Sequence, residues 1–316
     1  MRVLVTGGTG YLGRAVVRAL TAAGHEPVVL AREASRSGLP ARTIDADIRD
    51  AAAIDRAAEG CDVICHLAAL VALWRARRED FDEVNVGGLR NVLEVTARRG
   101  LRLIHTSSFL ALPPSGRSTP IVANDYQRTK VIAEREADAA AKSGASIVRL
   151  YPGVIYGPGV ASEGNLVGRL VEDHLAGRLP GIVGANRIWS CAWIEDVAEA
   201  HVRAAERAAP GSAYALGGEN LPLMRVFEIV EAHTRTARPH RIPSGVATAI
   251  GAVEEARARL FHSAPLLTRG AVEIFGHDWP LDSHAAQRDL GYHVRPLAQG
   301  MERLLASRTA GKDDAR

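Results

Sequence analysis

Residues 2–30 constrain this chain most, because strand, glycine turn, helix and strand follow one another without a gap. Arg2-Val-Leu-Val-Thr6 is a short apolar run of strand length, and Gly7-Gly-Thr-Gly-Tyr-Leu-Gly13 follows at once. Ala15 to Ala23 then has helical spacing, with Val16, Val17 and Leu20 on one stripe. Gly24 ends the helix, and His25-Glu-Pro-Val-Val-Leu30 reads as the next strand. A βαβ unit with glycines at its first turn is built to hold a dinucleotide. Gly7 and Gly8 are expected at positive φ, where the backbone approaches a pyrophosphate, and Gly13 where helix packs closely on strand. Gly10, Tyr11 and Leu12 open the helix, whose free N–H groups and positive dipole end suit phosphate.

The tip of the second strand addresses the choice of cofactor. NAD enzymes place an acidic residue about 20 residues past the glycines to bond the ribose 2′-OH. Here the strand ends Leu30-Ala31-Arg32, so Ala31 stands where that carboxylate would sit. Arg32 and Arg36, with Ser35 beside them, offer guanidinium forks that suit a 2′-phosphate, which favours NADP(H) over NAD(H). Glu33 is the one acidic neighbour that can also turn inward.

At 316 residues the chain is long enough for one large α/β unit or a domain with a smaller lobe. The formal charge of +3 is slight and the signs alternate, so nucleic acid is not an expected partner. No apolar stretch approaches the roughly 18 residues of a membrane span. The first strand begins at residue 2, which leaves no room for a signal peptide and implies a cytoplasmic protein. Three cysteines, Cys61, Cys65 and Cys191, have no metal-ligand spacing and read as free thiols, and no metal is expected.

Strands continue at Arg42–Asp45, Asp62–His66, Leu101–Thr106 and Ser146–Tyr151, alternating with helical patterns at 51–59, 79–99 and 125–141. That rhythm means a parallel sheet with right-handed crossovers, whose ligands bind beyond the strands' C-terminal ends. Asp47 and Ile48 fall where the adenine would lie. Leu67, Ala68 and Ala69 let a cofactor cross the strand ends. Asp50 is placed to cap its helix. In the 79–99 helix Phe81, Val84, Leu89, Val92, Leu93 and Val95 form the inward stripe. Asn85 is polar on that stripe and is expected to brace backbone beneath the site.

Ser107 and Ser108 close the fifth strand on the ligand edge, and Tyr126-Gln-Arg-Thr-Lys130 follows on a helix. Tyr126 and Lys130 are i and i+4 and share a face. Tyrosine ordinarily has a pKa of about 10, which makes it a poor proton carrier near neutrality. A nearby ammonium is expected to lower that value, and roughly three units would take about 4 kcal/mol of differential interaction. Ser108 would hold a substrate oxygen while Tyr126 gives or takes its proton, and Lys130 reaches the nicotinamide ribose.

These segments resemble the extended short-chain dehydrogenase/reductases of the NAD-dependent epimerase/dehydratase superfamily. The matching stretches are Thr6–Gly13, His66-Leu-Ala-Ala69, Asn85–Asn91, Ser107-Ser108, Tyr126-x-x-x-Lys130, Arg149–Gly159 and Trp193–Ala198. Leu67–Trp74, Asp278-Trp279 and Leu290-Gly-Tyr292 look most like the dihydroflavonol-4-reductase-like branch. The resemblance implies a Rossmann-type doubly wound parallel α/β sheet with a smaller, mostly helical C-terminal substrate lobe. It implies Ser108, Tyr126 and Lys130 as the catalytic set with Asn85 in support, and hydride transfer at a carbonyl or alcohol carbon. Tyr151, Pro152, Gly153 and Val154 would flank the nicotinamide end. Family members often dimerise through the helices at 79–99 and 125–141, so a homodimer is an expected partner state. Two departures stand out. The Phe109–Asp125 loop is short for the family, so a flavonoid or sugar-nucleotide substrate does not carry over. Leu110 is apolar where epimerases place a second hydroxyl.

The expected division is a dinucleotide-binding domain at 1–151 with return elements at about 188–216. A substrate lobe would take 152–187 and 217–308, and a frayed tail 309–316. Helices are expected at 165–176, 196–207, 221–234, 246–261, 269–275 and 297–305. Trp74, Phe109, Tyr151 and Trp189 are candidate pocket residues for a small-molecule substrate. Three functions remain open: an NADP(H)-dependent carbonyl reductase, an NAD-dependent nucleotide-sugar epimerase or dehydratase, and a non-catalytic NADP-sensing regulator. The second needs a cluster of cations for a diphosphate, and Arg169, Arg178 and Arg187 are its candidates. The third typically lacks the Tyr/Lys pair present here.

Overall fold

The computed structural model describes residues 1–160, 162–261 and 263–313. Short apolar runs without alternation become strands buried on both faces. They are β1 (Arg2–Thr6), β2 (Glu26–Ala31), β3 (Arg42–Asp45) and β4 (Val63–His66), linked by α1 (Tyr11–Ala22) and α2 (Ala51–Ala57). The long helical pattern at 79–99 divides into α3 (Glu79–Phe81), a π-helical turn at Asp82–Gly87 and α4 (Gly88–Arg99). Then come β5 (Arg102–Thr106), α5 (Asp125–Lys142), β6 (Ile147–Pro152), β7 (Val154–Tyr156), α6 (Leu166–Leu175) and β8 (Ile188–Trp193). The chain continues through α7 (Ile194–Arg207), β9 (Ala213–Leu216), β10 (Asn220–Pro222) and α8 (Met224–Thr234). It ends with α9 (Ser244–Phe261), α10 (Arg269–Phe275), α11 (His284–Leu290) and α12 (Leu297–Asp313).

Seven strands form a parallel sheet in the order β3-β2-β1-β4-β5-β6-β9. The order of travel reverses between β1 and β4, which opens a crevice at their C-terminal ends. One face of the sheet is covered by α1 and α7 through Val16, Val17, Leu20, Val197 and Val202. The other packs Ile54, Val92 and Val95 of α2 and α4 over Leu4, Ile64 and Leu103. Each such side chain contributes about 1.5–3 kcal/mol when fully buried. A second, three-stranded sheet, β10-β8-β7, lies over a separate core of Phe109, Trp189, Phe227, Trp279 and Met301.

The two glycines that the turn requires differ in role. Gly7 sits at φ +70°, and a β-carbon there would strike the Ala68 backbone at 2.7 Å. A β-carbon on Gly13 would collide with the Gly7 carbonyl, so α1 rests directly on the turn. Gly8 departs from expectation. It is not at positive φ, and its missing side chain instead makes room for Val29 at 2.8 Å.

Other boundaries also differ from the sequence reading. Of the tail expected at 309–316, residues 309–313 belong to α12 and 314–316 lie outside the described residues. Residues 220–222 are a strand, because Asn220 and Leu221 pair with β8, and the helix starts only at Met224. The helix at 284–290 and the second sheet had no clear sequence signal. Asp50 caps α2 as expected, accepting from the Ala53 N–H at 3.0 Å. All three cysteines are buried free thiols. No helix among the described residues is long and apolar enough to cross a membrane.

Candidate active site

A cleft of about 1060 Å³ runs along the C-terminal ends of β1, β2, β4, β5 and β6 and ends against α10. It exceeds the roughly 300–1,000 Å³ of an ordinary small-ligand pocket. Gly7, Gly10, Tyr11, Leu12 and Gly13 line its centre, Arg32, Asp47 and Ile48 one end, and Leu67, Ala68 and Ala69 its floor. Ser107, Ser108, Tyr126, Lys130, Pro152, Gly153 and Val154 line the other end, with Phe109, Leu110 and Trp189 beyond them.

Each catalytic candidate is held by structure around it. Asn124 caps α5 by accepting from the Gln127 N–H at 2.8 Å, which fixes the turn that carries Tyr126. Gln127 is fully buried and ties that turn to the serine strand end. Its Nε2 donates to the Leu110 carbonyl at 3.2 Å and its Oε1 accepts from Ala123 N at 3.0 Å. Ser108 leaves β5 in extended conformation, its Oγ accepting from Leu110 N at 3.2 Å and its hydroxyl hydrogen-bonded to the Tyr126 phenol. One turn along α5, Lys130 Nζ donates to the Thr106 carbonyl at 3.3 Å. Tyr126, Ser108 and Lys130 thus converge from two elements.

Burial sets their proton affinities. It pushes the Tyr126 phenol up to about 12, opposed by the Ser108 hydrogen bond. The lowering expected from Lys130 is therefore absent in the protein alone, where desolvation outweighs the Ser108 hydrogen bond. Burial also brings Lys130 down to about 8, opposed by the Glu134 carboxylate one turn further on. Tyr126 is a neutral phenol at physiological pH, which is the form a proton donor needs.

Asn85 does not line the cleft, but it braces the loop that does. Its Oδ1 accepts from Leu70 N at 2.7 Å, and its Nδ2 donates to the Leu70 carbonyl at 3.2 Å and to Thr129 Oγ1 at 2.9 Å. It stands in the π-helical turn, which Arg128 of α5 clamps through two bonds to Asp82, at 2.7 and 2.6 Å. Tyr151, Arg36 and Trp74 also lie off the lining. The Tyr151 hydroxyl donates to Glu134 at 2.7 Å, and Arg36 pairs with Glu33 at 3.5 Å. Ser35 is bonded to Asp45, and the Asp47 carboxylate is held by Arg49 at 2.9 Å. Arg32 lines the cleft and has no ion-pair partner among the described residues.

The cleft suits a nicotinamide dinucleotide. Gly10 provides no side-chain cap to α1, so the first-turn amides face the cleft without one. The Ser107 hydroxyl, on the cleft wall, is buried with no protein partner.

Beyond the serine and tyrosine the wall turns apolar. Leu110, Leu166, Trp189, Ala271, Ile274 and Phe275 line it. Phe109 packs edge-on against Trp189 and Trp279, with centroids 6.0 and 5.4 Å away, and Trp189 stacks on Phe275 at 4.9 Å. Sequence reasoning missed the contribution of α10, whose seven residues carry no motif and reach the cleft through tertiary packing alone. The three arginines considered for a diphosphate do not converge. Arg169 pairs with Glu163, Arg178 with Asp173 at 2.7 Å and Arg187 with Asp278 at 3.3 Å, and none lines the cleft.

Residues 3–217 match the model of the NAD dependent epimerase/dehydratase family. The sterol demethylase protein B of Methylococcus capsulatus is 30% identical over 308 residues, covering 92% of this chain and 93% of that protein. A 2-alkyl-3-oxoalkanoate reductase of Stenotrophomonas maltophilia is 31% identical over 339 residues, covering 98% of this chain and all of its own length (100%). Among solved structures, the crystal structure of gox2253 superposes with a TM-score of 0.81 at 28% identity, covering 98% of each chain.

Proposed function

We propose, from the premise that this chain belongs to the NAD dependent epimerase/dehydratase family within the extended short-chain dehydrogenase/reductases and is an NAD(P)-dependent enzyme acting on CH–OH or C=O groups, that it is an NADP(H)-dependent reductase of an apolar ketone or aldehyde. The observation that carries the reading is the composition of the wall beside Ser108 and Tyr126. Leu110, Trp189, Ile274 and Phe275 offer a substrate apolar surface and no charge. A nucleotide sugar would need cations for its diphosphate, and the three candidate arginines, none of them on the cleft lining, are each paired with a carboxylate. The names of the two relatives, which concern a sterol and an alkyl oxoacid, point to apolar substrates as well.

Bound nicotinamide supplies the hydride. The protein's part is orientation and proton supply. Ser108 and Tyr126 together hold the carbonyl oxygen, drawing electron density away from the carbon under attack. Tyr126, kept neutral by burial, donates its proton to the oxygen as charge develops there. Lys130, held against the Thr106 carbonyl, keeps a positive charge beside the phenol and favours the phenolate that remains. Arg32, on the cleft lining with Asp47, would meet the 2′-phosphate of NADP with its guanidinium fork, while Asp47 is paired with Arg49.

The test is a panel of long-chain ketones and aldehydes, short polar carbonyls and nucleotide sugars, read by nicotinamide absorbance with NADPH and with NADH. Net NADPH oxidation by the long-chain carbonyls is expected. Interconversion of a nucleotide sugar with no net change in absorbance would replace this reading with the epimerase.

A further inference from the structure

The helix α9 is amphipathic the wrong way round for a surface helix. Its inward positions hold the small residues Ala247, Gly251 and Ala258, all buried. Gly251 lies so close to the Thr268–Arg269 backbone that a β-carbon would sit 3.0 Å from Arg269 N. The large apolar residues face outward. Val246, Ile250, Val253, Leu260 and Phe261 are between 44% and 71% exposed, and Leu266 in the following loop is 86% exposed. Ala249 and Ala256 complete the outward stripe. A contiguous apolar strip of this kind on a protein surface marks a contact that the isolated chain does not make.

The charges around the strip identify what covers it. Between residues 235 and 269 the chain has six arginines, Arg235, Arg238, Arg241, Arg257, Arg259 and Arg269, against two glutamates, Glu254 and Glu255. Both glutamates are turned in and used. Glu254 holds Arg257 at 2.8 Å and accepts from Leu266 N at 2.9 Å, and Glu255 accepts from the Arg269 N–H at 2.8 Å. Arg235, Arg241 and Arg259 are exposed, with no carboxylate partner among the described residues. Arg238 is paired with Glu231 at 2.8 Å, so a second copy of the chain docked through α9 would bring Arg235, Arg241 and Arg259 to a face whose own two glutamates are already bonded. A surface that is apolar within and anionic outside complements both parts of the face at once.

We propose that α9 and the loop after it form a peripheral docking surface for an anionic lipid bilayer, with the valine–isoleucine–leucine strip entering the acyl boundary and the arginines meeting the headgroups. The helix rests on α10, whose Ala271, Ile274 and Phe275 line the cleft. The inference stands on the surface itself and holds whatever reaction the cleft performs.

The full-length chain is floated with vesicles of equal parts phosphatidylcholine and phosphatidylglycerol, and with vesicles of phosphatidylcholine alone. Binding to the anionic vesicles is expected, weakening steeply as salt is raised, with little binding to the neutral ones. The double change Val253→Glu, Leu260→Glu places charge on exposed positions and is expected to weaken partitioning at least ~10-fold with an unchanged melting temperature. Absence of binding by the unaltered chain, or equal binding to both vesicles regardless of salt, overturns the proposal. A dimer in light scattering that the double change disperses, without vesicle binding, assigns the strip to a second copy instead. The salt series uses unaltered protein, so its outcome does not depend on the variant folding.

Discussion

Tyr126 and Arg32 show how a single side chain's neighbours decide its role. Tyr126 was legible from its spacing to Lys130, but its proton affinity was not. Spacing suggests a phenol made acidic by an ammonium, whereas burial makes it a weaker acid than free tyrosine, pushed up to about 12. Spacing reports neighbours and leaves out how much water reaches them, and in a buried site desolvation is the larger effect. The cation pair expected beyond β2 likewise reduces to one side chain, since Arg36 is turned to Glu33. That concentrates the burden on Arg32. Arg32→Ala is expected to weaken NADPH binding about 10- to 100-fold, the loss of one or two charge-assisted hydrogen bonds, and to leave NADH binding nearly unchanged. Fluorescence titration with both cofactors measures this, and equal weakening of the two would remove Arg32 from the 2′-phosphate.

Among the elements, those that run directly from strand to helix were readable and those that depend on distant partners were not. The first βαβ unit, β4, β5 and α5 carry their signals locally, in apolar runs, caps and glycines. The stripe from Phe81 to Val95 also predicted helix correctly, but as one continuous piece. The π-helical turn at Asp82–Gly87 answers to a demand from outside the helix. Asn85 must face both Leu70 and Thr129, and one extra residue in the turn lets it do so without displacing Leu89 from the core. Asn85→Ala leaves the Leu70 N–H and carbonyl without their partners. A loss of ~1–3 kcal/mol in urea unfolding is expected, together with weaker cofactor binding from a looser loop. Unchanged stability and binding would mean that the loop holds its position unaided. The short strands β7 and β10 and the helix α11 were illegible for the opposite reason, since they exist through pairing or packing with residues far along the chain.

Across the whole molecule the two sheets divide the work. The seven-stranded sheet presents glycine turn, small floor residues and Arg32 along one edge. The smaller sheet and its helices close the far end of the cleft with Trp189, Ile274 and Phe275. The dinucleotide half was legible because its chemistry lies in short motifs. Of the substrate end only Phe109 and Trp189 were legible, because an apolar wall looks in sequence like any other core. The claim joining the halves is that Tyr126 protonates the oxygen of a carbonyl held in the apolar end while hydride reaches its carbon. The direct measurement uses NADPH deuterated at the transferring position, a long-chain ketone that the panel identifies, and mass spectrometry of the alcohol formed. The unaltered protein should place one deuterium on the carbinol carbon. Tyr126→Phe should bind NADPH as before and form labelled alcohol at least ~100-fold more slowly, the scale of lost general acid catalysis. Label transfer at an undiminished rate by that variant, with the cofactor bound, would contradict the account.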